Sequence, residues 1–238
     1  MWNALLFPWF RALPCPALNC YGCPFAILAC PIGTLQNFVV IRQIPLYTLG
    51  LLGMIDSLVG RMSCGWLCPF GFLQDLLFRL RTPKLTLSNR LGWLRYVVLA
   101  LLVGLVPYLT LESWFCKLCP AGTIQAGIPW LLLRPDLHSM IGRLFWLKIG
   151  LLLLFLAWMI STKRPFCRFI CPLGAIYSPF NSVSAFQITI DKEACAECNR
   201  CQQVCPVDIR AIPEGIKGGP CVRCLECVRV CPTGALQV

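Results

Sequence analysis

Histidine is nearly absent: His138 is the only one in 238 residues. A haem held by two histidines of this chain is therefore excluded, and there is no Cys-x-x-Cys-His sequence to attach a c-type haem. Acidic residues are scarce, ten against 21 Lys and Arg, and charged side chains make up only 13%. An ordinary soluble domain carries about 25%. No Walker loop and no G-x-G-x-x-G fingerprint occurs, so no nucleotide site is expected. Without a separate basic domain, the positive excess does not read as nucleic-acid binding. His138, in a loop after Pro135, reads as a solvated surface histidine.

What is present is apolar surface and cysteine. Hydrophobic residues make up 58% of the chain, and mean hydropathy is +0.71. Three stretches approach the 17–25 apolar residues, roughly, that a bilayer core requires. They are Ile44–Gly60, with a possible earlier start in Phe38–Ile41, then Leu91–Leu111, where Pro107 predicts a kink, and Leu144–Ser161. Met1–Pro14 is apolar but short. It reads as an interfacial anchor or part of a longer helix and lacks the order of a cleavable signal. Residues 1–186 hold fifteen Lys and Arg against four Asp and Glu, whereas residues 187–238 hold six of each. The basic excess thus flanks the membrane segments. The chain divides into a polytopic helical membrane domain, 1–185, and a C-terminal domain, 186–238. Thr189–Lys192 marks the change in composition.

Eighteen cysteines call for disulfides or metal. Disulfide scaffolds are short, secreted and poor in core, so metal is the better reading. The phrase Cys-Pro-x-Gly occurs five times, from Cys30, Cys68, Cys119, Cys171 and Cys231, and the copies from Cys30, Cys68 and Cys119 run on to Gln36, Gln74 and Gln125. Proline fixes the chain beside the ligand, and glycine lets backbone come close enough for its N–H to point at a sulfur.

The strongest signal is Cys195-x2-Cys198-x2-Cys201-x3-Cys205-Pro followed by Cys221-x2-Cys224-x2-Cys227-x3-Cys231-Pro. This is the two-cluster bacterial ferredoxin spacing, in which the fourth cysteine crosses to the other cluster. One [4Fe–4S] cluster is assigned to Cys195, Cys198, Cys201 and Cys231. The other takes Cys221, Cys224, Cys227 and Cys205. Structural zinc is the alternative, but zinc modules show paired Cys-x-x-Cys groups. Phe186–Ile190 alternates as a strand and can pair with Ala235–Val238, which brackets a small α+β fold.

Two further cluster sites are expected in the membrane domain. Cys64 and Cys68, with Cys167 and Cys171, form two matched Cys-x3-Cys-Pro pairs on one membrane face, by counting crossings. Cys20, Cys23, Cys116 and Cys119 form two Cys-x2-Cys-Pro pairs on the other face. Cys30 is a rival for one of those places and Cys15 a weaker one, and a disulfide remains the alternative there. The Cys64/Cys167 face carries nine flanking cations against six opposite. This puts it, and the C-terminal domain, on the cytoplasmic side.

The motifs Cys-Gly-Trp-Leu-Cys-Pro-Phe-Gly and Cys-Arg-Phe-Ile-Cys-Pro-Leu-Gly, with the terminal ferredoxin, resemble the NapH/MauN-type membrane polyferredoxins and the C-terminal half of NosR-type proteins. The resemblance covers Cys15 to Val238. It implies a prokaryotic inner-membrane electron-transfer protein with its Cys-x3-Cys-Pro motifs and ferredoxin in the cytoplasm. The cysteines at Cys15–Cys30 and Cys116/Cys119 mark a subgroup.

The expected function is a polyferredoxin subunit without a catalytic site of its own. It would relay electrons between a cytoplasmic donor, such as a flavin-bearing partner, and quinone or an extracytoplasmic redox partner, under anaerobic or oxygen-limited conditions. An assembly factor for a metalloenzyme and an anchor subunit of a redox complex are the alternatives. Asp56, an ionisable residue within the first apolar stretch, is a candidate for proton exchange with quinone, against a locally paired or snorkelling carboxylate. If both faces carry clusters, a core of about 30 Å separates them. Gly33–Phe38 and Gly122–Trp130 would then dip inward as re-entrant loops.

Overall fold

The computed structural model describes residues 13–24, 26, 28–136, 141–209, 216 and 218–238. Most of the apolar start and His138 lie outside the described residues. In chain order the helices are α1 (Pro31–Val40), α2 (Leu46–Val59), α3 (Met62–Trp66), α4 (Pro69–Phe78) and α5 (Leu91–Thr110). They continue with α6 (Trp114–Leu118), α7 (residues 120–133), α8 (Arg143–Ser161), α9 (Pro165–Phe169) and α10 (Pro172–Tyr177).

Among the described residues two helices, α5 and α8, are long and apolar enough to cross a membrane. Leu147, Leu153, Leu154 and Trp146 of α8 point outward without cover, as a lipid-facing helix requires. The first apolar stretch behaves differently. Arg42 adopts φ 55° and Pro45 caps the next helix, so Phe38–Val40 belong to α1, with Ile41 as its C-cap, and not to α2. Gly60, at φ 57°, then ends α2 after 14 residues. At 1.5 Å per residue α2 is about 21 Å long, short of a bilayer core.

Four helical segments begin the same way. Cys30, Cys68, Cys119 and Cys171 are extended N-caps with φ between −62° and −79° and ψ between 110° and 122°, each followed by proline in the first turn. Proline suits that place because its missing N–H would go unpaired there anyway. Each of these cysteines therefore stands where free helix N–H groups point.

Pro107 lies just after a change of helix type. It interrupts the hydrogen-bond ladder of α5, and residues Leu99–Leu105 before it open into a π-helical stretch. One carbonyl in that stretch, Leu102 O, accepts Gln36 Nε2 at 2.8 Å. A second π-helical stretch, Thr123–Gly127, precedes Pro129 within α7 and carries Gln125. The core joins α8 to α4 and α9 through aromatic edges. Phe166 meets Phe70 at 5.0 Å and Phe155 at 5.6 Å, and Trp158 stacks on Phe169 at 6.0 Å.

The C-terminal segment has the expected pairing. β1 (Thr189–Ile190) and β2 (Leu236–Gln237) are antiparallel, with Ile190 opposite Leu236. Two short helices, α11 (Arg200–Val204) and α12 (Glu226–Arg229), lie between them in sequence. This segment is fastened to the helical part by buried polar groups. Asn181 Nδ2 donates to Cys221 O at 2.7 Å, and Asn181 Oδ1 accepts Arg61 N at 3.0 Å. Arg223 Nη2 donates to Asn181 O at 2.6 Å, and Lys163 Nζ donates to Cys205 O at 3.0 Å. The Arg61 guanidinium reaches Gly219 O.

Candidate metal-cluster sites

The ferredoxin cysteines sort into two groups with the crossed pattern. Cys195, Cys198, Cys201 and Cys231 line one cavity of about 450 Å³. Cys205 crosses to the other group. It is an electrostatic neighbour of Cys221, Cys224 and Cys227, and these four line a second, small cavity that Cys201 borders. Burial, with repulsion from Cys221, Cys224 and Cys205, pushes the Cys227 thiol up to about 12. Ile209 N approaches Cys205 Sγ at 3.5 Å.

The structure brings Cys64, Cys68, Cys167 and Cys171 together as one buried group. Cys171 interacts electrostatically with the other three. Burial pushes Cys64 up to about 11 and Cys167 to about 12, and it pushes Cys171 well up too. Four such thiols cannot all ionise side by side unless a cationic core joins them. Two cations stand against them. Arg61 hydrogen-bonds Cys64 and donates to Cys167 O at 3.3 Å. Arg164 pairs with Asp75 and donates to Cys64 O at 3.3 Å. Both also look the other way, since Arg61 is an electrostatic neighbour of Cys221 and Arg164 of Cys224. Gln74 Nε2 donates to Cys167 Sγ at 3.0 Å, while Gln74 Oε1 accepts Phe166 N at 3.2 Å.

The remaining group differs from the sequence expectation. A cavity of about 370 Å³ is lined by Cys20, Cys30, Cys116 and Cys119, and Cys23 is not among its lining residues. Cys116 interacts electrostatically with Cys30, Cys119 and Cys20. Burial pushes Cys30 up to about 11 and Cys119 to about 12. Cys30, the rival in the sequence reading, lines this cavity where Cys23 was expected. The reason is the helix start. Cys30 caps α1 and receives N–H groups from Ile32 and Gly33, as Cys119 does from Ala121 and Gly122. Cys23 lies in a turn and caps no helix.

These two membrane groups share a plan that pairwise spacing did not reveal. In each, a glutamine six residues after a Cys-Pro cysteine reaches across to the partner motif. Gln36 Oε1 accepts Cys116 N at 3.3 Å, and Gln125 Oε1 accepts Cys20 N at 2.7 Å. Gln74 does the same for Phe166, next to Cys167. The glycines match as well. A Cβ on Gly33 would meet Cys116 Sγ at 3.6 Å, and one on Gly122 would meet Cys20 Sγ at 3.6 Å. At the equivalent Gly174 a Cβ would meet Arg61 Nη2 at 2.8 Å, so a guanidinium fills that space. The fourth motif carries Tyr177 where the others carry glutamine. Its buried hydroxyl donates to Pro16 O at 3.1 Å, beside Cys15.

Cys15 stands in reach of both groups. It is an electrostatic neighbour of Cys68 in one group and of Cys30 in the other. The Cys15 strand is pinned beside Cys30 by Cys15 N donating to Ala29 O at 2.8 Å. Asp56 is fully buried, and among the described residues neither of its oxygens has a hydrogen-bond partner. It is an electrostatic neighbour of Tyr177 and Cys64.

Among the described residues no three His, Cys, Asp or Glu side chains converge as a single-ion site. The all-thiolate donor sets, the cavities between them and the helix N–H groups aimed at the sulfurs suit iron–sulfur clusters.

Comparison with known proteins agrees. A 4Fe-4S binding domain model matches residues 49–88, 93–136 and 143–189, and a 4Fe-4S dicluster domain model matches residues 187–232. An uncharacterised protein of Methanocaldococcus jannaschii is 32% identical over 193 residues, which cover 76% of this chain and 74% of that one. The methylamine utilization ferredoxin-type protein MauN of Methylobacillus flagellatus is 31% identical over 62% of this chain and 48% of its own. The regulatory protein NosR of Pseudomonas aeruginosa is 30% identical over 64% of this chain, but that is 21% of its own length. No solved structure matches. This chain belongs to the 4Fe-4S binding domain family.

Proposed function

We propose that this iron–sulfur electron-transfer protein is a membrane relay whose electrons pass from a cytoplasmic donor through the ferredoxin domain (186–238) into the membrane domain (1–185). The observation that carries this reading is the position of Arg61 and Arg164. Each guanidinium stands between a thiol of the Cys64/Cys68/Cys167/Cys171 group and one of the Cys205/Cys221/Cys224/Cys227 group. When bound, [4Fe–4S] clusters supply one-electron redox chemistry and nothing more. The chain's own work is placement. Asn181, Arg61 and Arg223 hold the ferredoxin segment against α3. Gln74 and the helix N–H groups set the polarity around the sulfurs. Cys15 is a neighbour of both Cys68 and Cys30, and Tyr177 of Cys15, Cys64 and Cys171, which supports electron passage inward toward Cys30.

In this reading the ferredoxin faces the cytoplasm of a prokaryotic cell, and α5, α8 and the shorter α2 anchor it in the inner membrane. A flavin-bearing partner supplies electrons, and quinone or a redox partner beyond the membrane receives them. Asp56, buried near Cys64 without a partner among the described residues, would exchange the proton that quinone chemistry requires.

Iron, acid-labile sulfide and zinc measured on anaerobically purified protein, with EPR after reduction, test the reading. About sixteen iron with matching sulfide supports four clusters, and about eight leaves only the ferredoxin pair. The relay reading fails if reduced ferredoxin clusters never reduce the Cys64/Cys68/Cys167/Cys171 site.

A further inference from the structure

Lys148 carries a charge inside α8, about 7–8 Å past the start of a membrane-length helix. An ammonium among lipid-facing leucines is costly, and such residues mark function when they face a cavity. Phe145 and Lys148, three residues apart on one face of α8, both line the cavity of Cys20, Cys30, Cys116 and Cys119. Lys148 is an electrostatic neighbour of Cys20 and Cys116. Among the described residues no carboxylate pairs with it. The anions it can serve are therefore the thiolates.

We propose that Lys148 is the built-in counter-charge of a cluster held by Cys20, Cys30, Cys116 and Cys119, and that it raises that site's reduction potential. The inference rests on the reading of this cavity as a cluster site. The physical argument is direct. Four thiolates on a [4Fe–4S] core carry a net negative charge that grows by one when an electron arrives. A fixed cation favours the more negative state, and a low-dielectric surrounding enlarges the effect. The sister site is served by Arg61 and Arg164, donated from outside the long helices. Lys148 is the corresponding charge for a site where the Tyr21 ring faces Gly33 and Cys20 Sγ faces Gly122, in place of the guanidinium that faces Gly174.

The test uses the full chain in lipid nanodiscs, titrated anaerobically and followed by EPR, as wild type, Lys148→Gln and Lys148→Arg. The expected result is a lowered midpoint potential for one cluster in Lys148→Gln, restored in Lys148→Arg, with the other clusters unmoved. Loss of about four iron in Lys148→Gln, with retention in Lys148→Arg, has the same meaning. If the wild type holds about sixteen iron and Lys148→Gln shifts no potential, the counter-charge role is overturned and the cluster reading stands. If the wild type holds about twelve iron and Cys116→Ser loses none, the cluster reading itself fails.

Discussion

The Gln74 side-chain amide joins two elements at one sulfur: its Nε2 donates to Cys167 Sγ at 3.0 Å while its Oε1 receives Phe166 N. A donor to a ligating sulfur stabilises the reduced cluster. Gln74→Leu removes that donor and leaves the Phe166 N–H unpaired, at a cost of about 1–3 kcal/mol. The expected outcome is a lower potential for this one site in an EPR redox titration, with iron content unchanged. An unmoved potential would mean that Gln74 only packs.

Iron retention separates Cys30 from Cys23. Cys30→Ser is expected to lose one cluster's worth of iron, about four per chain, whereas Cys23→Ser keeps its full content. The physical reason is the α1 N-terminus, which aims the Ile32 and Gly33 N–H groups at Cys30. The reverse result would restore the two Cys-x2-Cys-Pro pairs as the ligand set.

Gly65 tests the docking of the ferredoxin segment. A Cβ there would stand 2.5 Å from Val222 O, a backbone atom that cannot yield cheaply. Gly65→Leu should leave both ferredoxin clusters reducible by dithionite yet slow their delivery to the Cys64 site at least tenfold, read by rapid-freeze EPR. Unchanged delivery would exclude this contact from the path.

Thiol reactivity in the cluster-free protein follows the titration order. Alkylation requires the thiolate. A hydrogen bond from Thr233 holds Cys231 below its ordinary value, while Cys64 is pushed up to about 11 and Cys119 to about 12. At pH 8 the thiolate fraction of a group raised by two units from 9 falls about 100-fold. Mass spectrometry after iodoacetamide should find Cys231 labelled well before Cys64 and Cys119, with the gap closing as pH rises toward 11. Early labelling of Cys64 would contradict its burial.

Asp56 predicts a trade between stability and function. A buried carboxylate without a partner destabilises the fold, so Asp56→Asn should raise the melting temperature in detergent. If Asp56 carries a proton for quinone, the same variant should slow quinone-coupled reoxidation at least tenfold. Faster melting, or reoxidation at the wild-type rate, would count against the role.

Much of this molecule was legible in one dimension because cluster ligation is local. Three cysteines at x2 spacing wrap one cube, so the ferredoxin groups, including the crossing of Cys205 and Cys231, followed from spacing alone. The two long apolar helices were equally local, since length and hydropathy act within one segment. The pairing of Cys64 and Cys68 with Cys167 and Cys171 was readable because both motifs repeat one phrase. What spacing could not show was which distant groups meet. Cys23 and Cys30 are both followed by proline, and only the folded α1 presents Cys30, and not Cys23, to Cys116 and Cys119. Breaks at Arg42 and Gly60, set by positive φ angles, shortened the expected first span. The cross-bonds of Gln36, Gln74 and Gln125, the place of Lys148 and the seat of Cys15 between two sites join residues up to about a hundred positions apart. Sequence by itself determined the chemistry of this protein, because thiolates and helix caps act within a few residues. Tertiary packing alone decided which thiols share a site and which charges face them, because those contacts exist only once the chain has closed on itself.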